Sequence, residues 1–196
     1  YYDQFYDIFS DNDTVLFSNN PFGAIELNSV LSSYSGLDWQ LAWAPWVARA
    51  QHTSVVFDNK MWIIGGGSKE GDFYSGVTIF HNDVWCSEDG DAWIQVTSEA
   101  PWPPRLAHES VVFNGKIWVL GGATENGNIN DVWSSKDGNN WILDTEEAPW
   151  SPRSLHNCIV FNDKIWLISG SHSSEWLYDV WVYEADAEGE GEGEGE

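Results

Sequence analysis

The stretch Arg-Leu-Ala-His-Glu-Ser-Val-Val-Phe-Asn-Gly-Lys-Ile-Trp-Val-Leu-Gly-Gly at residues 105–122 decides the fold, because the chain contains three versions of it. It aligns without a gap with residues 49–66 and with residues 153–170. In each copy, two short runs of β-branched and aromatic residues flank a pair of turn residues, which are Asn-Gly, Asp-Asn or Asn-Asp. This pattern predicts two antiparallel strands joined by a tight hairpin.

A second shared stretch follows each hairpin and completes the repeat. Residues 130–141, Asn-Asp-Val-Trp-Ser-Ser-Lys-Asp-Gly-Asn-Asn-Trp, align with residues 82–93, and the last copy stops after the Asp-Val-Trp at 179–181. The first half of this stretch predicts a third strand, the Asp-Gly pair predicts a turn, and the final Trp begins a fourth strand. Four antiparallel strands in about 50 residues indicate a propeller blade rather than a helical repeat.

The repeat divides the whole chain into blades. A degenerate copy comes first, because residues 28–39 align with 130–141 and short apolar runs at 8–9 and 15–17 fall where two further strands are expected. The predicted units are a degenerate first blade at 1–48, a second blade at 49–104 with an inserted loop at 67–81, a third blade at 105–152, an incomplete fourth blade at 153–183, and an acidic Glu-Gly tail or linker at 184–196. The tail composition predicts disorder.

The paired glycines, the aromatic residue after Asp-Val and the Trp on the last strand resemble the Kelch family. The resemblance implies an all-β propeller with about four four-stranded antiparallel blades, the last lacking its outer strand. Kelch propellers usually close with six or seven blades, so the resemblance also implies that the chain is part of a larger ring. Either a continuation of the native protein or self-association of subunits would supply the remaining blades and complete the propeller.

The second half of the repeat is similar to the Asp-box of bacterial sialidases and related propellers. Its pattern is Ser-x-Asp-Gly-x-x-Trp, and the matching residues are Ser87, Asp89, Gly90 and Trp93, then Ser135, Asp137, Gly138 and Trp141. We expect a structural role, because the Asp can accept backbone N–H bonds in the turn, the Gly can adopt positive φ and the Trp can pack back over the hairpin.

The connection between blades contains the main candidate site. Its pattern is Ala-Pro-Trp-x-x-Arg-x-x-His, which occurs with Trp46 and Arg49, with Trp102 and Arg105, and with Trp150 and Arg153. The resemblance places these residues near one mouth of the propeller. A guanidinium group offers bidentate donors and an indole offers a stacking surface, so the pairs suit sugars and carboxylates. A structural alternative stays open, in which each Arg braces neighbouring blades and the repeated histidines are buried and hydrogen-bonded.

The inserted loop at 67–81 breaks the repeat and should lie over the same mouth. Its candidate ligand contacts are Phe73, Tyr74 and His81. The alternative is a longer hairpin without a binding role.

The charge and cysteine content of the chain restrict the kinds of partner that it can bind. The chain carries 31 acidic and 8 basic residues, a formal net charge of −23. Such a surface repels phosphate backbones and anionic lipid, so we expect neither nucleic acid binding nor membrane insertion. Cys86 and Cys158 lie in different repeats without metal-ligand spacing, and we interpret them as buried thiols.

These patterns favour a non-catalytic recognition module of a secreted or cell-surface bacterial protein, which binds a glycan or a protein through the Arg/Trp face. The alternatives are a sialidase-like or sialic-acid-processing enzyme and a purely structural module of a large adhesin. No phosphate loop, His-Glu-x-x-His motif or nucleophile elbow occurs, so we predict no catalytic residues, no metal site and no cofactor.

Overall fold

The computed structural model describes residues 7–11, 14–18, 29–33, 39–70 and 76–185, and every regular element in these ranges is a β-strand. Consistently, no helix capable of crossing a membrane occurs in the described part of the chain. The strands are β1 (Asp7–Asp11), β2 (Thr14–Ser18), β3 (Ser29–Ser33), β4 (Trp39–Trp43), β5 (Thr53–Phe57), β6 (Lys60–Glu70), β7 (Val77–Ser87), β8 (Ile94–Thr97), β9 (Glu109–Phe113), β10 (Lys116–Thr124), β11 (Gly127–Ser135), β12 (Trp141–Thr145), β13 (Asn157–Val160), β14 (Lys164–His172) and β15 (Glu175–Glu184).

Sequential antiparallel pairing builds the blades. Strands β5-β6-β7-β8 form one four-stranded sheet, β9-β10-β11-β12 form the next, and β13-β14-β15 form a three-stranded sheet. The all-β propeller architecture predicted from the repeat is therefore confirmed, and we name these sheets blades 2, 3 and 4. The first hairpin of each blade turns through two residues with positive φ, for example Asn114 and Gly115 at 48° and 65°, as a type I′ turn requires.

The first blade differs from the expected four-stranded sheet. Its described strands pair as two separate two-stranded sheets, β1-β2 and β3-β4. At the position where the other blades carry Asp83, Asp131 and Asp179, the first blade has Ser29. Those aspartates hold the mouth end of each blade together, as described below.

A β-bulge at the paired glycines changes the direction of the second strand in each complete blade. The β10–β11 register shifts between Leu120 and Gly122, and Gly122 has φ of 108°. A Cβ at Gly122 would stand 2.7 Å from the Cβ of His108, so the close approach requires glycine.

Apolar side chains fill the space between blades. Trp62, Ile64 and Val84 of blade 2 pack against Ile117 and Val119 of blade 3, and Ile64, Val84, Ile117 and Val119 are completely buried. A second cluster of the same kind joins blade 3 to blade 4. Burying each such aliphatic side chain contributes roughly 1.5–3 kcal/mol, so adjacent blades stabilise one another.

Candidate functional site

The segments that connect one blade to the next run along one end of the described blades. We call residues 49–52, 105–108 and 153–156 the straps. Each strap pairs with the second strand of its own blade just beyond the bulge, through the bridges Ala50 to Gly67, Leu106 to Ala123 and Ser154 to Ser171. We call this end of the blades the mouth.

Each strap begins with an Arg that is fixed by an Asp of the same blade. Arg105 donates from Nη1 and Nη2 to the two carboxylate oxygens of Asp131, both at 2.7 Å, and from Nη1 to the Gly121 carbonyl at 2.9 Å. The Trp133 indole N–H donates to the same carboxylate at 2.7 Å. We call this arrangement the Arg–Asp brace.

The brace recurs in the other two blades. Arg49 binds Asp83 and the Gly65 carbonyl, and Arg153 binds Asp179 and the Ser169 carbonyl. The Arg153 guanidinium is the main reason that the pKa of Asp179 falls to about 2. All three arginine side chains are at most 2% exposed, so their charge is neutralised inside the fold.

The straps also form a hydrogen-bonded chain across the blades. The Ala107 N–H donates to the Gln51 carbonyl, and the Leu155 N–H donates to the Ala107 carbonyl, both at 2.9 Å. These three residues have φ between 51° and 57°, a left-handed conformation that costs a non-glycine residue about 1–2 kcal/mol. Backbone strain of this kind is concentrated at functional sites, which directs attention to the mouth.

A shallow depression of about 420 Å³ opens at the mouth between blades 2 and 3. Its lining includes Ala50, Gln51, Ser68, Lys69, Thr78 and Leu106. Lys69 is exposed and has no hydrogen-bond or ion-pair partner among the described residues. The depression therefore combines one available cation with hydroxyl and amide groups.

The insertion extends the second blade's central hairpin beside this depression. Strands β6 and β7 each contain 11 residues, whereas β10 and β11 each contain 9. His81 lies on β7, with its Nε2 2.9 Å from the Ser68 Oγ. Burial, and then the charge of Arg49, lowers the His81 pKa, so the ring is neutral at physiological pH. Phe73 and Tyr74 lie outside the described residues.

Glu109 is a titratable residue at the mouth that the sequence interpretation missed. It begins β9 at the position where blade 2 has Thr53. Between blades 2 and 3, the Thr53 Oγ1 is 3.0 Å from the His108 Nε2 and 2.6 Å from the Ser110 Oγ. At the next interface the repeat-equivalent residues are Glu109, His156 and Cys158. A neutral hydrogen-bonded cluster is thus replaced by three ionisable groups.

The surroundings shift the pKa of each group in this second cluster. Burial raises the Glu109 pKa to about 7, although the Ser110 N–H opposes the change. Burial, followed by the Arg153 charge, lowers the His156 pKa to about 4. Burial, followed by the Glu109 carboxylate, raises the Cys158 pKa. A carboxyl group that titrates near neutral pH is suited to proton transfer.

The described residues contain no cluster of three or more His, Cys, Asp or Glu side chains arranged to hold a metal ion. The histidines His108 and His156 are instead buried, each 2% exposed.

Comparison with known proteins places this repeat in a family. The model of the KLHDC2/KLHL20/DRC7 Kelch-repeats domain matches residues 35–188. The chain belongs to the Kelch-repeat family.

Among curated proteins, this Kelch chain is similar to the N-acetylneuraminate epimerases of Shigella flexneri serotype 5b and Escherichia coli K12. Each is 31% identical over 125 residues, which cover 59% of this chain and 31% of the relative. The matched region thus spans less than a third of these relatives. The solved structure of YjhT superimposes with a TM-score of 0.61 at 22% identity, covering 84% of this chain and 56% of that one, and it supports the propeller fold.

The Kelch geometry places the side chains of the predicted Arg/Trp ligand face inside the fold. Arg105 and Arg153 are 0% exposed, and their guanidinium donors already bind carboxylates and carbonyls. The indoles of Trp46, Trp102 and Trp150 are at most 7% exposed. Arg49 has the same bonds and a side chain that is 2% exposed. In the described structure these six side chains pack within the blades, and the three arginines bind carboxylates and carbonyls there; ligand binding by them stays a prediction.

The Asp-box residues make local turn contacts in both complete Kelch blades. In blade 3, the Asp137 carboxylate accepts the N–H groups of Asn139 and Asn140, and the Ser135 Oγ accepts the Gly138 N–H at 2.8 Å. The Trp141 indole donates back to the Gly138 carbonyl at 3.0 Å. Residues Ser87, Asp89, Gly90 and Trp93 make the equivalent contacts in blade 2.

Proposed function

We propose that this chain contributes four blades to a Kelch propeller that binds an acidic sugar of the sialic acid class. The similarity to N-acetylneuraminate epimerases carries the proposal. It favours the sialic-acid-processing alternative over a non-catalytic module that recognises other glycans or proteins. The depression between blades 2 and 3 is the proposed ligand site.

The chemistry of the depression supports this choice. Lys69 supplies a positive charge for a sugar carboxylate, and Gln51, Ser68 and Thr78 supply hydrogen-bonding groups for hydroxyls. The chain as a whole is strongly acidic, with a net charge of −23. Because the Debye length is about 8 Å at physiological ionic strength, distant acidic groups are screened, and the charges nearest the depression, Lys69 and its neighbour Glu70, decide the contact.

Titration with N-acetylneuraminate, followed by ligand-observed NMR, tests the binding. Lys69→Met should weaken binding by a factor of about 1.4 to 5, since an exposed ion pair contributes about 0.2–1 kcal/mol. Lys136→Met removes the same charge from an exposed turn of blade 3 and should leave affinity unchanged. Absence of saturable binding, or equal loss in both variants, would reject the proposed site and favour a purely structural module.

A second candidate function is interconversion of the epimers of the sugar at the interface of blades 3 and 4, because Glu109 titrates near neutral pH there and does not line the depression. As a carboxylate, Glu109 would take a proton from the sugar, and as a carboxylic acid it would return one, so that the group is regenerated. NMR exchange between the epimers of N-acetylneuraminate measures this activity. Glu109→Gln should abolish exchange without abolishing binding. An unchanged rate in Glu109→Gln would eliminate the role.

A further inference from the structure

The depression between blades 2 and 3 is lined by apolar groups as well as by polar ones. Phe80 of β7 and Leu106 of the blade 3 strap both line it and are partly buried, and the Ala50 methyl group lines it too. A carboxylate and hydroxyls can bind the polar groups, but they gain nothing from a phenyl ring or a leucine. Because contact between apolar groups removes both from water, this lining indicates a ligand that also carries an apolar group.

A glycine gives Leu106 its place in the depression. A Cβ at Gly67 would stand 2.7 Å from the Leu106 Cδ2, so the leucine of blade 3 occupies the space that a side chain on blade 2 would fill. At the next interface the repeat-equivalent residues are Ala123 and Ser154. A large apolar side chain over glycine is thus replaced there by a small polar one near alanine.

The second apolar residue of the depression also departs from the repeat. Between blades 3 and 4, the Asn128 amide donates to the Ser171 carbonyl at 2.8 Å and so joins the two blades. Phe80 holds the position of Asn128, because Phe80 pairs with Gly67 just as Asn128 pairs with Ala123. A phenyl ring cannot donate such a hydrogen bond. The blade 3–4 interface forms without large apolar side chains at these positions, so packing of the propeller does not require them at the depression.

We propose that Phe80 and Leu106 bind the methyl group of an N-acyl substituent on the acidic sugar, and that they make the depression select N-acetylated over non-acetylated sugars. This inference rests on the proposed sialic acid site. It assigns the acyl methyl to the apolar lining, while Lys69 takes the carboxylate. The acetyl methyl is the only methyl group of N-acetylneuraminate, and it is therefore the part of the sugar that apolar side chains can distinguish.

A pair of sugars that differ in one methyl group tests the inference. N-formylneuraminate keeps the carboxylate, the hydroxyls and the amide of N-acetylneuraminate and lacks only the methyl. Titration of the chain with each sugar, followed by ligand-observed NMR, should show about fourfold weaker binding of the formyl sugar. Burial of one such group contributes about 0.8 kcal/mol, and about 1.4 kcal/mol corresponds to a tenfold change in affinity.

Matched variants locate the methyl contact. Leu106→Ser and Phe80→Asn introduce the residues of the next interface, and each should reduce the preference for the acetyl sugar to less than about twofold while binding persists. Leu155→Ser, at a leucine of the blade 4 strap that is 51% exposed and does not line the depression, should keep the fourfold preference. Circular dichroism verifies that the three variants are folded.

The outcomes separate this inference from the proposed function. Equal affinity of the unmodified chain for the two sugars would overturn the methyl contact and leave the sialic acid site standing. A fourfold preference that survives in both Leu106→Ser and Phe80→Asn, or that Leu155→Ser removes equally, would also overturn it. Absence of saturable binding of either sugar would reject the proposed site and the inference with it.

Discussion

At the scale of single residues, the Arg–Asp brace is the main polar contact of each blade. Arg105 is fully buried and joins Asp131, the Gly121 carbonyl and the strap in one network. A charge pair of this kind contributes little net stability as a whole, but removal of one partner leaves the other charged and desolvated.

We therefore expect Arg105→Met to lower the free energy of unfolding by about 3–5 kcal/mol. The double variant Arg105→Met/Asp131→Leu should recover part of this loss, because it also removes the unpaired carboxylate. Urea denaturation of both variants measures the effect, with Lys136→Met as the surface control. A double variant less stable than Arg105→Met alone would contradict the explanation.

The role of these arginines was only partly predictable. Their repetition at one phase showed that they occupy a fixed position, but an Arg beside a Trp is equally compatible with a ligand surface and with a brace. The decisive information is the partner, and Asp131 lies 26 residues beyond Arg105 on another strand. The Asp of the Asp-Val-Trp motif recurs once after each of these arginines, 34 residues on in blade 2 and 26 in blades 3 and 4, so charge complementarity within the repeat was an available signal.

At the scale of elements, the hairpins and bulges follow from local chemistry. The β-branched runs and the two-residue turns predicted the strands of blades 2 and 3, because each of these signals is contained in a few consecutive residues. The separate two-stranded sheets of the first blade were not predictable from strand propensity alone. Ser29 lacks the carboxylate with which Asp131 binds Arg105, and no arginine precedes Arg49 in the sequence.

The bulge glycine yields a prediction for the element. Gly122→Ala should lower stability by more than about 2 kcal/mol, because its Cβ would stand 2.7 Å from the Cβ of His108 on an unfavourable backbone of φ 108°. Gly115→Ala is the control, since its φ is 65° and no atom lies within 4 Å of an added Cβ. That change should cost about 1–2 kcal/mol. Thermal melts compare the stability of the two variants. Equal losses of stability would argue against a steric clash between a Cβ at Gly122 and His108.

At the scale of the whole molecule, His156 and Glu109 between blades 3 and 4 make stability depend on pH. One lowers stability as the pH falls and the other lowers it as the pH rises. The His156 pKa is depressed to about 4. The stability that this neutral ring contributes is therefore fully present above pH 6.5 and is lost as the pH falls through 4. The Glu109 pKa is raised to about 7. The stability that the protonated carboxyl contributes is therefore fully present below pH 4.5 and is lost as the pH rises through 7. These two groups favour a stability maximum at mildly acidic pH.

Calorimetry across this range checks the prediction. Glu109→Gln should remove part of the loss of stability as the pH rises from 4.5 to 7, and His156→Gln should remove part of the loss as the pH falls from 6.5 to 4. Glu125→Gln, at an exposed turn position, makes the same change in net charge as Glu109→Gln and should reproduce the wild-type profile shape. If Glu109→Gln and Glu125→Gln gave parallel profiles, general charge repulsion rather than the buried carboxyl would explain the decline.

The hydrogen bonds between straps have a direction, and this has an evolutionary consequence. Each of the two later described straps donates to the one before it, through the same backbone atoms and independently of side-chain identity. Duplication or loss of one whole 48-residue unit by unequal recombination would join the same donor to the same acceptor. Blade number can therefore change in single steps while each remaining junction keeps its geometry, whereas a break inside a unit would separate an arginine from its aspartate.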